Sequence, residues 1–431
     1  MVTETKHRTQ KTKGRNDIMA SIFENAGLYS LKEMHHAGLA PTRMMANAAK
    51  HMFNNPLNPL SYTGVGRQMA AAGELVERIT QNYPKPEFGL TYTNIDGKHV
   101  DVWEEVIVDK AFCKLLHFKR SGKRSDEKLL IVAPMSGHYA TLLRGTVEAM
   151  LPEHDVYITD WVDARLVPMS KGKFDLEDNI SYIMEFIRSL GPDVHVMAVC
   201  QPAVPVLCAI SLLAQLKDPA QPRSMTLMGG PIDTRKATTS VNTLATQRPH
   251  SWFANTVIAT VPYSYPGAGR KVYPGFLQLA GFMSMNLGNH MMSHWEMFKH
   301  LVQGDDESAD ATKDFYDEYR SVCDMTAEFY LQTIDVVFQR HALPDGEYLH
   351  RGLKVDPKAI TKVALLAIEG ERDDICAVGQ TAAAHDLCRN LRPHLKKHHL
   401  QAGAGHYGVF SGKKWQTQIY PTVRSVILSV E

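Results

Sequence analysis

The chain has 431 residues, 44% of them hydrophobic, with 47 Lys and Arg against 46 Asp and Glu. That length allows two or three domains, or one elaborated domain around a large core. The near-neutral charge argues against a nucleic-acid partner, which would call for a strongly basic surface, and no apolar run approaches the roughly 18 residues of a transmembrane helix.

The first stretch, MVTETKHRTQKTKGR, is basic, but no apolar segment follows it as in a secretory signal. Residues 1–16 therefore read as a disordered basic tail. Residues 17–85 read as a helical extension. Ile18, Met19, Ile22 and Phe23, then Met44, Met45, Met52 and Phe53, fit two helices broken at Gly38 to Pro41, and a third helix fits 67–80. The segment FGLTYTNIDGKHVDVWEEVIVDKAFCKLLHFKR alternates and turns at Asp96-Gly97, as antiparallel strands do.

The pattern then changes. Apolar runs at 129–134, 156–159, 194–199, 225–230 and 363–369 alternate with helical spacing at 137–150, 176–190 and 202–216. This βαβ rhythm predicts a mostly parallel sheet with helices on both faces. A last strand near 395–401 and a helix from about 415 close it. The rhythm breaks over 233–358, too long for one crossover. We read 86–232 and 359–431 as two parts of one core, and 233–358 as a helical cap over the strand ends. Its Met and aromatic residues, among them Met283 and Trp295, are candidates to line a pocket beside Trp161 and Trp252.

In VHVMAVCQPAVPVLCAISLLAQL, a β-branched run stops at Cys200 and a helix-compatible pattern follows at once. A strand, a sharp turn and a helix with a nucleophile at the corner is the device by which an α/β-hydrolase presents its reactive side chain. The chain order of that fold, nucleophile then acid then histidine, is met by Cys200, Asp373 in EGERDDICA and His406 in GAGHYGVF. Asp374 is the neighbouring alternative, and Asp233 in GGPIDTR another. Each role needs its residue type: a thiol that attacks, an imidazole that titrates near neutrality, and a carboxylate that fixes the imidazole's tautomer. A helix N-terminus and a neighbouring imidazolium both favour the thiolate.

The corner reads Ala198-Val199-Cys200-Gln201-Pro202, so both glycines of G-x-S-x-G are replaced. Pro202 has no N–H and suits the first helical position. One oxyanion donor should then be the Gln201 backbone, and a second that of Met135 or Ser136, in the loop PMSGHY after the strand at 129–134. His138 and Tyr139 of the same loop are further pocket candidates. The six cysteines show no CxxC pair, and no nucleotide-binding glycine loop is seen, so neither metal nor cofactor is expected. A reducing cytoplasm fits this cysteine usage.

The blocks IVAPMSGHYATLLRGTVEAMLP, VYITDWVDARLVP, HVMAVCQPAVPVL, MGGPIDTR, EGERDDICAVGQT and GAGHYGVFSG identify a wider likeness. Through them nearly the whole chain resembles the intracellular poly(3-hydroxybutyrate) depolymerases of bacteria, in which a cysteine stands in place of the lipase serine. The resemblance implies Cys200, Asp373 and His406 as the triad. It also implies amorphous polyester granules as substrate and binding surface, a cytoplasmic location on those granules, and water or coenzyme A as acyl acceptor. It leaves a homo-oligomer open. Polyhydroxyalkanoate synthases share the triad but carry a glycine-rich G-x-C-x-G, which this chain lacks. A granule scaffold that keeps the fold without activity is the alternative of another class.

Overall fold

The computed structural model describes residues 27–122, 124–285, 287–303 and 305–430. The basic tail expected at 1–16, and the first ten residues of the expected helical extension, lie outside them. Helices α1 (27–38) and α2 (Ala40–Asn54) meet at Leu39, within the break read from the sequence. Helix α3 (Gly64–Thr80) begins three residues earlier than expected, because the Thr63 hydroxyl accepts the Gly66 N–H at 3.0 Å and caps it.

Nine strands form the main sheet: β1 (Tyr92–Ile95), β2 (Lys98–Asp109), β3 (Cys113–Arg120), β4 (Lys128–Val132), β5 (Asp155–Trp161), β6 (Val194–Val199), β7 (Ser224–Met228), β8 (Ala364–Gly370) and β9 (Lys396–Gln401). Their spatial order is β1-β2-β3-β5-β4-β6-β7-β8-β9. The first three are antiparallel, with Asp96 and Gly97 both at positive φ in the β1–β2 turn, as a two-residue hairpin requires. From β5 to β9 all neighbours run parallel. Every residue of β6, β7 and β8 is buried, the mark of strands covered on both faces, whereas β2 is largely exposed. The β5-β4-β6 reversal puts the loops after β4 and β6 side by side, at the crevice where open parallel sheets place their ligands.

Helix α4 (Arg144–Met150) is shorter than the expected 137–150. A loop holds the preceding residues, with Gly137 at φ +94°, before a 3₁₀ turn at Ala140–Leu143. Helices α5 (Leu176–Leu190) and α6 (Ala203–Gln215) pack together, α5 opening with a reciprocal Asp175–Asp178 capping box. Between β7 and β8 the chain leaves the sheet. It forms α7 (Ser240–Gln247), α8 (His250–Thr256), α9 (Gly275–Met285), α10 (Leu287–Gln303), α11 (Asp306–Arg320) and α12 (Ala327–Thr333), and α12 continues as a π-helical turn at Ile334–Gln339. Three short strands make a small antiparallel sheet within this excursion. The cap is tied to the loop after β4 by a bridge between His138 and Val322, and the Gly137 carbonyl accepts the Cys323 N–H at 2.8 Å.

Candidate active site

Three strand ends build the site. Cys200 follows β6 with φ +68°, a left-handed conformation that costs a non-glycine residue about 1–2 kcal/mol and persists only where its surroundings enforce it. Its N–H donates to the Met228 carbonyl at 2.7 Å and its carbonyl accepts the Ala203 N–H at 3.1 Å. Both ends of the turn are thereby fixed. Helix α6 starts at Ala203, so Pro202 is its cap, with φ −62° and ψ −11°, rather than its first residue.

Asp373, on the loop after β8, accepts the Ile375 and Cys376 N–H groups on Oδ1 at 2.9 and 2.8 Å, leaving Oδ2 for His406 Nδ1 at 2.7 Å. His406 follows β9, is buried, and interacts with Cys200 as well. Burial alone would lower its pKa. Interaction with Cys200 and Asp373, and the hydrogen bond to Asp373, outweigh that and hold it well above the ordinary histidine value. The imidazolium form of His406 is the one this arrangement favours. Asp374 is exposed, and Asp233 is committed to Arg235, whose Nε and Nη2 donate to its two oxygens at 2.8 and 3.0 Å.

Close packing of the loops explains two glycines. A Cβ on Gly230 would lie 2.1 Å from the Ala203 Cβ and 2.9 Å from the Cys200 carbonyl oxygen. One on Gly229, at φ +54°, would lie 3.3 Å from His406 Cε1 and 3.4 Å from Asp373 Oδ2. A buried tether joins these loops. Glu369 Oε1 accepts the N–H groups of Gly379, Thr381 and Ala382, and the Thr381 hydroxyl bridges the N–H and carbonyl of Gly230 at 2.8 and 3.0 Å.

Above Cys200 lies a cavity of about 400 Å³, reached by Met135, Ser136, Gln201, His406 and Tyr407 from the sheet side and roofed by the cap. Phe282 and Gln278 of α9, Phe253 of α8, Leu244 of α7 and Phe329 and Tyr330 of α12 make its walls chiefly apolar. Among the described residues the Gln201 N–H has no hydrogen-bond partner, and the Met135 N–H meets only the Gln201 side-chain oxygen, at 3.3 Å. His138 reaches the wall but is buried, its ring nitrogen on the Tyr319 carbonyl, and burial pulls its pKa down to about 4. It is therefore neutral at pH 7.

Other pocket candidates lie elsewhere. Tyr139 is buried with its hydroxyl on Asp163, and the Trp161 indole N–H donates to the Ala133 carbonyl at 2.8 Å within the core. Trp252 packs against Phe253 under Arg248, and it is Phe253 that reaches the cavity. Helix α9 turns Gln278, Gly281 and Phe282 inward at a spacing of three and four, which carries Met283 off the wall, and Trp295 on α10 is 57% exposed. Phe282 was read only as one of the Met and aromatic residues of the cap, and Tyr330 was not singled out from the sequence. Their only signal was position on one helical face, unreadable without knowing which face the core takes.

Residues 229–431 match the family described as PHB de-polymerase C-terminus. A comparison with curated protein sequences found no match. Among solved structures, a candidate lipase from Sulfolobus solfataricus is 14% identical, with 81% of this chain and 100% of that one covered and a TM-score of 0.46. A monoacylglycerol lipase from Paleococcus ferrophilus is 11% identical, covering 71% and 96% at a TM-score of 0.40. The 2-hydroxy-6-oxo-6-phenylhexa-2,4-dienoate hydrolase from Rhodococcus sp. strain RHA1 is 11% identical, covering 76% and 99% at 0.41. The fold assignment rests on the strand order, in which a nucleophile-type corner follows β6 and the two loops that carry Asp373 and His406 follow β8 and β9. With that order the chain has the α/β-hydrolase fold, and over residues 229–431, a little under half of its length, it is similar to the C-terminal part of the poly(3-hydroxybutyrate) depolymerases.

Proposed function

We propose that this protein cleaves the ester bonds of amorphous poly(3-hydroxybutyrate) in storage granules, through a covalent thioester on Cys200. The observation that carries the reading is one imidazole, His406, hydrogen-bonded to Asp373 and interacting with Cys200 at the floor of an apolar cavity. The thiolate adds to the ester carbonyl, and the oxyanion takes the N–H groups of Gln201 and Met135. As the carbonyl re-forms, the C–O bond to the next unit breaks, and His406 gives its proton to the departing alkoxide.

Water then adds to the thioester while His406 takes its proton. Collapse releases the acid and returns the proton to the His406–Cys200 pair. A thiol such as coenzyme A would enter the second half in the same manner. An aliphatic polyester carries no charge along its length, so an apolar pocket with few polar groups suits it. The test is mass spectrometry of the enzyme quenched during turnover of amorphous polymer. A mass increment on the Cys200 peptide, equal to one or more hydroxybutyryl units and absent from Cys200→Ala, is expected. Turnover by Cys200→Ala at the wild-type rate would reject the assignment.

A further inference from the structure

The second oxyanion amide is already occupied, and its occupant comes from the residue that supplies the first. Gln201 Oε1 accepts the Met135 N–H at 3.3 Å, while the Gln201 backbone N–H has no partner among the described residues. Both residues reach the cavity above Cys200. Resting on the reading of Cys200 as nucleophile, we propose that the Gln201 carboxamide is a built-in stand-in for the substrate carbonyl: its oxygen covers the Met135 amide in the empty site and is displaced when the ester oxygen arrives.

Two physical arguments favour displacement over a permanent brace. In a chiefly apolar cavity an uncovered amide costs about 1–3 kcal/mol, so a cover on the Met135 N–H is favourable until an ester arrives. A neutral carboxamide at 3.3 Å, beyond the usual N–H···O range, is a weak one. The oxyanion that forms at Cys200 makes a charge-assisted bond roughly twice as strong as a neutral one, and it prevails at the same donor. The loop that carries Met135 has supports other than Gln201. It is held from the cap by the His138–Val322 bridge and by the Cys323 N–H on the Gly137 carbonyl at 2.8 Å.

Substitutions of opposite sign separate the two roles. Gln201→Met keeps the length of the side chain and the backbone N–H but loses the oxygen. Gln201→Glu keeps an oxygen and makes it anionic. With a soluble butyrate ester, displacement predicts that Gln201→Met lowers KM and raises kcat/KM by about two- to tenfold, the range of one neutral hydrogen bond. It predicts that Gln201→Glu lowers kcat/KM by at least as much, because its carboxylate holds the amide harder and repels the oxyanion. Butyraldehyde supplies a second readout. It adds the Cys200 sulfur to its carbonyl carbon and takes the thiol proton onto oxygen, and its affinity should follow the same order, Met above Gln above Glu.

A brace predicts the reverse, with Gln201→Glu near wild type and Gln201→Met impaired. That order, or no difference among the three proteins, overturns the proposal. Failure of butyraldehyde to form any adduct with wild-type Cys200 would overturn the nucleophile assignment, and this inference with it. An adduct that forms without the predicted order overturns this inference alone.

Discussion

Asp373→Asn tests the electrostatics of the site while leaving its geometry in place. The asparagine oxygen can keep the Ile375 and Cys376 N–H groups, at 2.9 and 2.8 Å in the wild type, so the loop should hold. What changes is the contact at 2.7 Å to His406 Nδ1, where, with the oxygen on those two amides, an N–H2 group replaces an anion. A hydrogen bond to a charged group contributes about 1.5–3 kcal/mol, or roughly 10- to 150-fold in rate. The loss should exceed that, because the N–H2 group donates to Nδ1 and the imidazole proton then sits on the nitrogen that faces Cys200. The pH profile gives the sign. His406 is held protonated by Cys200 and Asp373 against the effect of burial, and the form that can protonate the leaving alcohol is lost as pH rises through its pKa. Removing the Asp373 charge lowers that pKa, so the alkaline limb of kcat/KM should move to lower pH. The assay is kcat/KM on a soluble butyrate ester from pH 5 to 10, with far-ultraviolet circular dichroism as the check on folding. A folded variant within twofold of wild type and with an unmoved alkaline limb would refute the role given to Asp373.

Cys200→Ala should abolish ester cleavage and Cys200→Ser should leave a small residual rate, because a hydroxyl needs more help from the base; equal rates for the serine and wild-type enzymes would contradict a thiolate nucleophile. Of the six free thiols only Cys200 is not fully buried, so a chromogenic disulfide reagent should titrate one thiol rapidly in the native protein and six after denaturation; two fast thiols would contradict the burial of the others. Gly230→Ala places a Cβ 2.1 Å from that of Ala203 and should cost about 1–3 kcal/mol of stability, with a larger loss of activity than Gly145→Ala, which meets nothing within 4 Å; similar activities and melting points for the two would refute the packing argument. His138, His154 and His195 are buried, and burial pulls each to about 4. Between pH 6.5 and 4 the unfolded chain takes up protons that the folded one refuses, so each histidine withdraws about 1.4 kcal/mol of stability per pH unit across that window. Urea midpoints that stay flat from pH 7 to 5 would refute this.

The elements legible in the sequence were those whose periodicity and surroundings agreed. Strand β6 ends at Val199 and α5 spans Leu176–Leu190, both as read, because a fully apolar run and a run with helical spacing admit one reading each. The region 137–150 misled because its apolar spacing continues through the loop after β4, where Gly137 at φ +94° and the link to Cys323 override local propensity. The pocket walls were the least legible. Met and aromatic residues fill α9 and α10 on several faces, and composition could not say that Phe282 turns inward while Trp295 points to solvent. Nor does spacing reveal that Tyr139 and Trp161 spend their polar atoms on Asp163 and Ala133.

The missing glycines of the corner have a compensating cause in the fold. A left-handed residue at a strand–helix junction brings the start of the helix against the neighbouring strand end, and the usual motif makes room with glycine on either side of the nucleophile. Here Ala198 and Pro202 hold those positions, and the room is made across the interface by Gly230, after β7, where no Cβ fits between Ala203 and the Cys200 carbonyl. The same glycine is held on both its polar groups by Thr381, whose own N–H is fixed by the buried Glu369. The strain at Cys200 is thus resisted by the loop that also carries Asp373. Cys200 and Asp373 are set relative to each other through one chain of contacts, and a change that loosens Thr381 should disturb both sides of His406 at once.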